Sequence, residues 1–264
     1  MSSARTIATA QDVVARFVRV NRRISRAFDR ILPEDFNIDG NWHYAEKIAP
    51  EYLQRDLRVY DLGAGSRPFL SPSRKKHLSI WVKGLDISGE ELRSAPAGSY
   101  DATEVADLTA FEGDGSADLV ICQSTLEHVR DGRGALRAIA TSLKPGGKAV
   151  IFVPCRNAWF ARLNMLLPEK IKKAILFRIY PETNDGHHGF EAFYDNATPG
   201  RYRKIATELG LELEFERAYW RSAYFQFLFP LHAFWRIYQI AARRLSGENM
   251  CESFSMVLTK PAES

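Results

Sequence analysis

Two carboxylates and two glycines give the first chemical lead in this chain of 264 residues. The apolar run Val59-Tyr60-Asp61-Leu62 ends in the turn Gly63-Ala64-Gly65, and twenty-one positions after Gly65 a second run through Ile80-Trp81-Val82 ends in Asp86. Glycine lets the backbone pass close beneath a ligand, because no Cβ intervenes. An acid closing the next strand can accept hydrogen bonds from both hydroxyls of a ribose. Strand, glycine turn, strand, acid is the nucleotide-binding half of a doubly wound sheet, so this stretch is expected to hold a nucleoside. What the turn lacks narrows the ligand further. It continues Ser66-Arg67-Pro68, so the third glycine of a dinucleotide loop falls on Pro68, and no phosphate-cradling P-loop occurs. A nucleoside without phosphates fits better, and S-adenosylmethionine, whose sulfonium and amino-acid tail replace them, is the expected cofactor.

Five blocks follow one another: DLGAG at 61–65, GLDIS at 84–88, ADL at 106–108, ADLVICQSTLEHV at 117–129 and LKPGGKAVIFVP at 143–154. In this order and spacing they resemble the class I S-adenosylmethionine-dependent methyltransferases, most closely the small-molecule branch (type 11) that includes the quinone-biosynthesis enzymes. The resemblance is close from Leu57 to Pro154 and holds only in outline elsewhere. It implies an α/β, Rossmann-like sheet of seven strands, mostly parallel, with an antiparallel last strand slotted between its neighbours. It also implies site roles. Asp61, Gly63 and Gly65 would line the methionine end of the cofactor, Asp86 would hold the ribose, and Asp107 would face the adenine amino group. Gln123 would sit at the mouth of the fourth strand beside the transferable methyl, with Ala64, Ile87 and Leu108 as further cofactor contacts. Read without the resemblance, Asp61 is equally a strand-end cap, and Asp107-Leu108-Thr109 an ordinary helix start. Arg67-Pro68 departs from the family's small residues and suggests a loop or a delayed helix after the turn.

Methyl transfer is an in-line displacement on an activated carbon, so the protein mainly holds the nucleophile at contact distance and excludes water. A hydroxyl acceptor gains from a base. The candidates are His128, in the turn after the fourth strand, and His188, in a later insertion; for His128 a structural role, donating to a carbonyl, is an equal reading. Histidines and acids do not fall at metal-ligand spacings, so no metal is implied. The expected acceptor is small and hydroxyl-bearing, a sugar or a lipid-linked intermediate. Three rivals are weighed. A nicotinamide enzyme is disfavoured by the missing glycine and the absence of a Tyr-x-x-x-Lys pair. A non-catalytic scaffold is disfavoured by the intact Asp61, Gly63, Gly65 and Asp86. A nucleic-acid or protein methyltransferase is disfavoured because Gln123-Ser124-Thr125-Leu126 stands where an N/D-P-P-Y tetrad would.

The elements that must position these groups read as a helical extension over 1–56 and a catalytic domain over 57–264, with insertions at about 155–195 and 219–250. From Thr9 to Leu32, Val13, Phe17, Val20, Ile24, Phe28 and Ile31 recur at helical spacing, opposite Arg16, Arg19, Arg22, Arg23, Arg26 and Arg30. That stripe either packs on the catalytic domain or rests with its arginines on an anionic membrane surface. Trp42, His43 and Tyr44 are candidates for a lid, with His43 structural. Helices are expected at 89–94, 131–143 and 198–209, strands at 103–106, 118–123, 148–153, 211–215 and 254–258. Arg156 to Tyr180 reads as two helical pieces broken at Pro168, covering the acceptor. Ser222 to Trp235 is almost unbroken apolar and aromatic, yet its 14 residues are too few to cross about 30 Å of hydrocarbon. It reads as an interfacial segment, a greasy groove, a core hairpin or a dimer surface. A net charge of +4 does not by itself call for nucleic acid, and no nucleic-acid-binding motif accompanies it. Three unpaired cysteines, Cys122, Cys155 and Cys251, and the lack of an apolar leader point to the reducing cytoplasm, with peripheral membrane contact through 219–245 and the first helix as an extension of that expectation.

Overall fold

The structure is a computed structural model that describes residues 2–166 and 191–262; His187 and His188 lie outside the described residues. The first helix, α1 (Ser2–Asp29), leads through short turns α2 (Gly40–His43) and α3 (Ala49–Glu51) into β1 (Arg58–Leu62). Then come α4 (Pro72–Leu78), β2 (Trp81–Asp86), α5 (Gly89–Arg93), β3 (Ala102–Val105), β4 (Ala117–Gln123), α6 (Gly132–Ser142) and β5 (Leu143–Pro154). After α7 (Trp159–Leu166) the described chain resumes with α8 (Pro199–Glu208), β6 (Glu212–Tyr219), α9 (Phe229–Ser246) and β7 (Ser253–Thr259). The seven strands form one sheet in the order β3-β2-β1-β4-β5-β7-β6, parallel except for β7, which is antiparallel to both β5 and β6. This is the mixed sheet the resemblance implied.

Alternation along the central strands feeds two cores, because successive side chains leave opposite faces of a sheet. Val59, Leu119, Ile121, Val150 and Val257 enter one, with Tyr44, Ile48 and Ala49 of the N-terminal segment. Tyr60, Leu62, Val120, Cys122, Ile151 and Met256 enter the other, against Leu136 and Ile139 of α6 and Tyr202 of α8. The N-terminal segment therefore packs against the sheet. Tyr44 is fully buried and donates its hydroxyl hydrogen to the Val150 carbonyl at 2.9 Å. Phe36 stacks on Trp220 at 5.6 Å.

Several boundaries differ from expectation for local reasons. The helix expected over 131–143 ends at Ser142, and Leu143 already pairs with Ala117 at the start of β5. The register then shifts, so Lys144-Pro145-Gly146-Gly147 bulges within the strand, Gly146 taking φ +75°. The helix after the glycine turn is delayed to Pro72, where Ser71 accepts from the Arg74 amide. Thr198 caps α8 in the same way, with Pro199 at its first position.

The first helix packs inside out. Asn21, Ser25 and Asp29 are buried, whereas Val13, Phe17, Val20 and Ile24 are exposed. Its partner is α9, the element formed by much of the aromatic stretch. Asp29 Oδ1 accepts from His232 Nε2 at 2.9 Å and from Arg236 Nε at 2.7 Å. Asn21 Oδ1 accepts from the Phe229 amide, and Ser25 donates to the Gln226 carbonyl. His232 and Arg236 thus belong to a buried polar clamp.

Candidate cofactor and acceptor site

The carboxyl ends of β1, β2 and β4 meet at a cleft of about 430 Å³, within the roughly 300–1,000 Å³ usual for small-molecule sites. Its wall includes Gly63, Asp86, Ile87, Asp107, Leu108 and His128, six of the positions expected from sequence. The glycine turn is pinned on two sides. Gly63 and Ala64 donate to the Leu85 carbonyl at 2.8 and 3.0 Å, and the Tyr100 hydroxyl donates to the Ala64 carbonyl at 2.9 Å. Gly63 takes φ +74°, and a Cβ there would run into the Thr125 side chain, so the close approach requires glycine.

Asp86 is held from both oxygens: Oδ2 accepts from the Gly65 amide at 3.0 Å and Oδ1 from the Ser88 amide at 2.8 Å. Burial raises its pKa, and the Ser88 and Gly65 amides oppose that. Asp61 lies behind the wall, its Oδ2 accepting from the Phe69 amide at 3.1 Å, which ties the Pro68-Phe69 loop to the strand end. Burial pushes the Asp61 carboxyl up to about 6, with the neighbouring Asp86 charge adding to it. Ala64 and Gly65 also stand behind the wall, shaping it through the bonds just described. Asp107 spends one oxygen on a turn with the amide and hydroxyl of Thr109. Gln123 is not part of the wall: its Nε2 donates to Asn41 Oδ1 at 2.7 Å, fastening α2 to the mouth of β4. Of the proposed lid residues, Tyr44 is a core residue, and His43 Nδ1 lies 3.0 Å from the Tyr219 hydroxyl.

Two loops make the outer lip. The Phe193 and Tyr194 amides donate to the Glu127 carbonyl at 2.8 and 2.9 Å, and His128 Nδ1 meets the Glu191 carbonyl at 3.1 Å. Arg130 lies 3.8 Å from Glu191 and 4.9 Å over the Phe193 ring. Glu127 itself is buried, with its carboxyl pushed up to about 8 by that burial. Ser124, Thr125, Thr109, Arg130, Glu191 and Phe193 are wall residues that sequence reasoning did not single out. Ser124 and Thr125 sit inside the 117–129 stretch and Thr109 directly follows Ala106-Asp107-Leu108, whereas Glu191 and Phe193 carry no motif.

The fit to an adenosyl sulfonium rests on the charges. Among the described residues, Asp86, Asp107 and Glu191 face the cleft against one arginine, Arg130, already beside Glu191. Such a wall attracts a cation and repels a pyrophosphate. Held by two amides, the Asp86 carboxylate is a preorganised acceptor for ribose hydroxyls.

Residues 16–212 match the family described as methyltransferase domain. The chain belongs to the class I S-adenosylmethionine-dependent methyltransferases. Among curated relatives, the ubiquinone biosynthesis O-methyltransferase of Cupriavidus pinatubonensis is 31% identical over 164 residues, 59% of this chain and 60% of that protein. The protein of the same name from Xanthomonas euvesicatoria is 31% identical over 185 residues, 65% of this chain and 72% of the relative. The first of these matches thus spans less than two thirds of its relative. Solved structures share the fold. A phosphoethanolamine N-methyltransferase 2 of Haemonchus contortus, solved with S-adenosyl-L-methionine, superimposes with a TM-score of 0.51 at 16% identity, over 91% of this chain and 57% of that one. An S-adenosylmethionine-dependent methyltransferase of Mesorhizobium loti gives 0.50 at 20%, over 85% and 99%. The cofactor of this family is S-adenosylmethionine, and the nicotinamide rival falls with that assignment.

Proposed function

We propose that this methyltransferase transfers a methyl group to the oxygen of a small hydroxyl-bearing acceptor, on a sugar, a quinone-type ring or a lipid-linked intermediate. The observation that carries the proposal is the orientation of His128 at the lip of the acidic cleft. A carbonyl only accepts, so His128 Nδ1 donates to Glu191, and any acid–base work of the ring falls to Nε2, which lies 3.9 Å from Glu127 Oε1. When bound, the cofactor supplies an electrophilic methyl on a positively charged sulfur. Asp86 orients its ribose, Asp107 lies on the same wall for the adenine, and the Gly63 turn admits the chain of the ligand close to the backbone. His128 Nε2 takes the proton of the acceptor hydroxyl as the oxygen attacks. His188 is a second candidate of the same kind by sequence. The names of the relatives favour oxygen as the atom methylated, and Phe193 at the lip offers a ring-shaped acceptor an apolar face.

The test is incubation of purified protein with metabolite extracts and isotopically labelled cofactor, followed by mass spectrometry. A product gaining one labelled methyl on oxygen, formed by the parent and not by Asp86→Ala, supports the assignment. Labelled products methylated on nitrogen or carbon, or none at all, would overturn it.

A further inference from the structure

The surface of α1 and α9 is built opposite to that of an ordinary packed helix pair. Along α1 the polar Asn21 and Ser25 are 9% and 0% exposed, while Phe17 and Ile24 are 53% and 45% exposed. The clamp enforces this. Arg236, 1% exposed, donates to Asp29 and to the carbonyls of Trp220 and Phe36. Turning α1 by one residue, about 100°, to bury its apolar stripe would take Asp29 away from Arg236 and His232 and strand a buried cation. On α9 the outward residues Phe234, Ile237, Tyr238 and Leu245 are likewise exposed. Where the helices touch, Phe28 stands edge-on to Phe229 at 5.8 Å.

Charge identifies the occupant. Arg16, Arg19, Arg22, Arg23, Arg26 and Arg30 are exposed on α1 and its end, and the exposed acid between residues 12 and 31 is Asp12 alone. Helix α9 contains no acidic residue and ends in Arg243 and Arg244. A second copy would set arginine against arginine, and no helix among the described residues is long and apolar enough to cross a membrane. Exposed apolar stripes beside dense arginine fit a surface that offers hydrocarbon beneath a layer of phosphates. We propose that α1 and α9 form a docking face for an anionic phospholipid bilayer, lying in its interface, with the stripe in the acyl boundary and the arginines on lipid phosphates. The proposal is independent of which acceptor is methylated.

Sedimentation of the full-length protein with phosphatidylcholine vesicles, with and without phosphatidylglycerol, tests it without any turnover. Strong binding is expected with phosphatidylglycerol, weak binding without it, and release by salt at about 0.5 M. Phe17→Ser with Ile24→Ser, and separately Phe234→Ser with Ile237→Ser, should each release the protein. Arg19→Glu and Arg23→Glu should each weaken binding by at least about fivefold. All these side chains are exposed, so helix content and cofactor affinity should match the parent, which separates lost docking from lost folding. Equal binding to neutral and anionic vesicles, no binding to either, or full binding by both serine pairs would overturn the proposal. So would a dimer in light scattering that the serine substitutions dissociate while vesicle binding is absent.

Discussion

Asp29→Ala tests the clamp that joins the two ends of the chain. In the parent, Asp29 Oδ1 accepts from His232 and Arg236, and Oδ2 accepts from Gln226 Nε2 at 3.1 Å. Burial pushes the Asp29 carboxyl up, but the His232 hydrogen bond and the Arg236 charge outweigh it and hold the group below its usual range. Removing the carboxylate leaves the guanidinium buried without its ionic partner, a loss of about 3–5 kcal/mol. Asp29→Asn keeps one acceptor and the shape, and should lose about 1.5–3 kcal/mol. A second acid whose charge acts on Arg236 is Glu252, which accepts from Gln239 at 2.8 Å and whose carboxyl burial pushes up to about 7. A group raised on folding opposes stability as pH climbs through its folded value, so in the parent ionising Glu252 is unfavourable around pH 7. In Asp29→Ala the same ionisation supplies a charge that Arg236 lacks. The deficit should therefore be larger at pH 6, where Glu252 is mostly protonated, than at pH 8. Urea denaturation at the two values measures it, and trypsin cleavage at the α1 arginines reports whether the helix has come away. A variant within about 1 kcal/mol of the parent at both pH values, with unchanged cleavage, would refute the clamp.

Three further outcomes follow from the cleft. Asp86→Ala should lose about 3 kcal/mol of cofactor affinity, roughly a hundredfold, because two hydrogen bonds to a charged acceptor disappear; calorimetry showing equal affinity would remove the ribose role. Asp61→Asn should stabilise the cofactor-free protein at pH 8. The carboxyl sits at about 6 folded against 3.8 in the reference state, so ionising it above pH 6 costs about 3 kcal/mol, at 1.36 per unit. That gain should shrink toward zero as pH falls to 4, and a gap that does not change with pH would contradict the burial account. His128→Asn should lower kcat by about a hundredfold or more with the cofactor Kd unchanged, and an unaltered kcat would leave His128 a structural residue.

The sheet was legible because the strands of a parallel core are nearly pure apolar runs and their tips carry the cofactor motif. Asp86 could be placed from Gly84-Leu85-Asp86 alone, and the structure brings it to the cleft. Gln123 shows the limit. Strand position puts it at the mouth of β4, but where its amide points depends on Asn41, 82 residues earlier. The lip is harder still. Glu191 contributes its carbonyl to His128, and a backbone acceptor leaves no mark on residue type.

The first helix marks the same boundary at the level of packing. Periodicity found the stripe of Val13, Phe17, Val20 and Ile24, and the usual inference is that such a stripe is the buried side. It fails here because the face that packs is chosen by a pair of charges distant in sequence. Arg236 lies 207 residues from Asp29, in a stretch whose composition spoke of grease rather than ions. Turning α1 would leave that guanidinium buried and unpaired, at about 3–5 kcal/mol, and would also strip Asn21 and Ser25 of their partners on the α9 side. The polar clamp therefore sets the rotation of α1, and the exposed stripe is a consequence of it. If Arg236→Met together with Asp29→Leu removed the clamp and left a folded chain, α1 would be free to turn its stripe inward, and vesicle binding should fall even though no exposed residue had been altered.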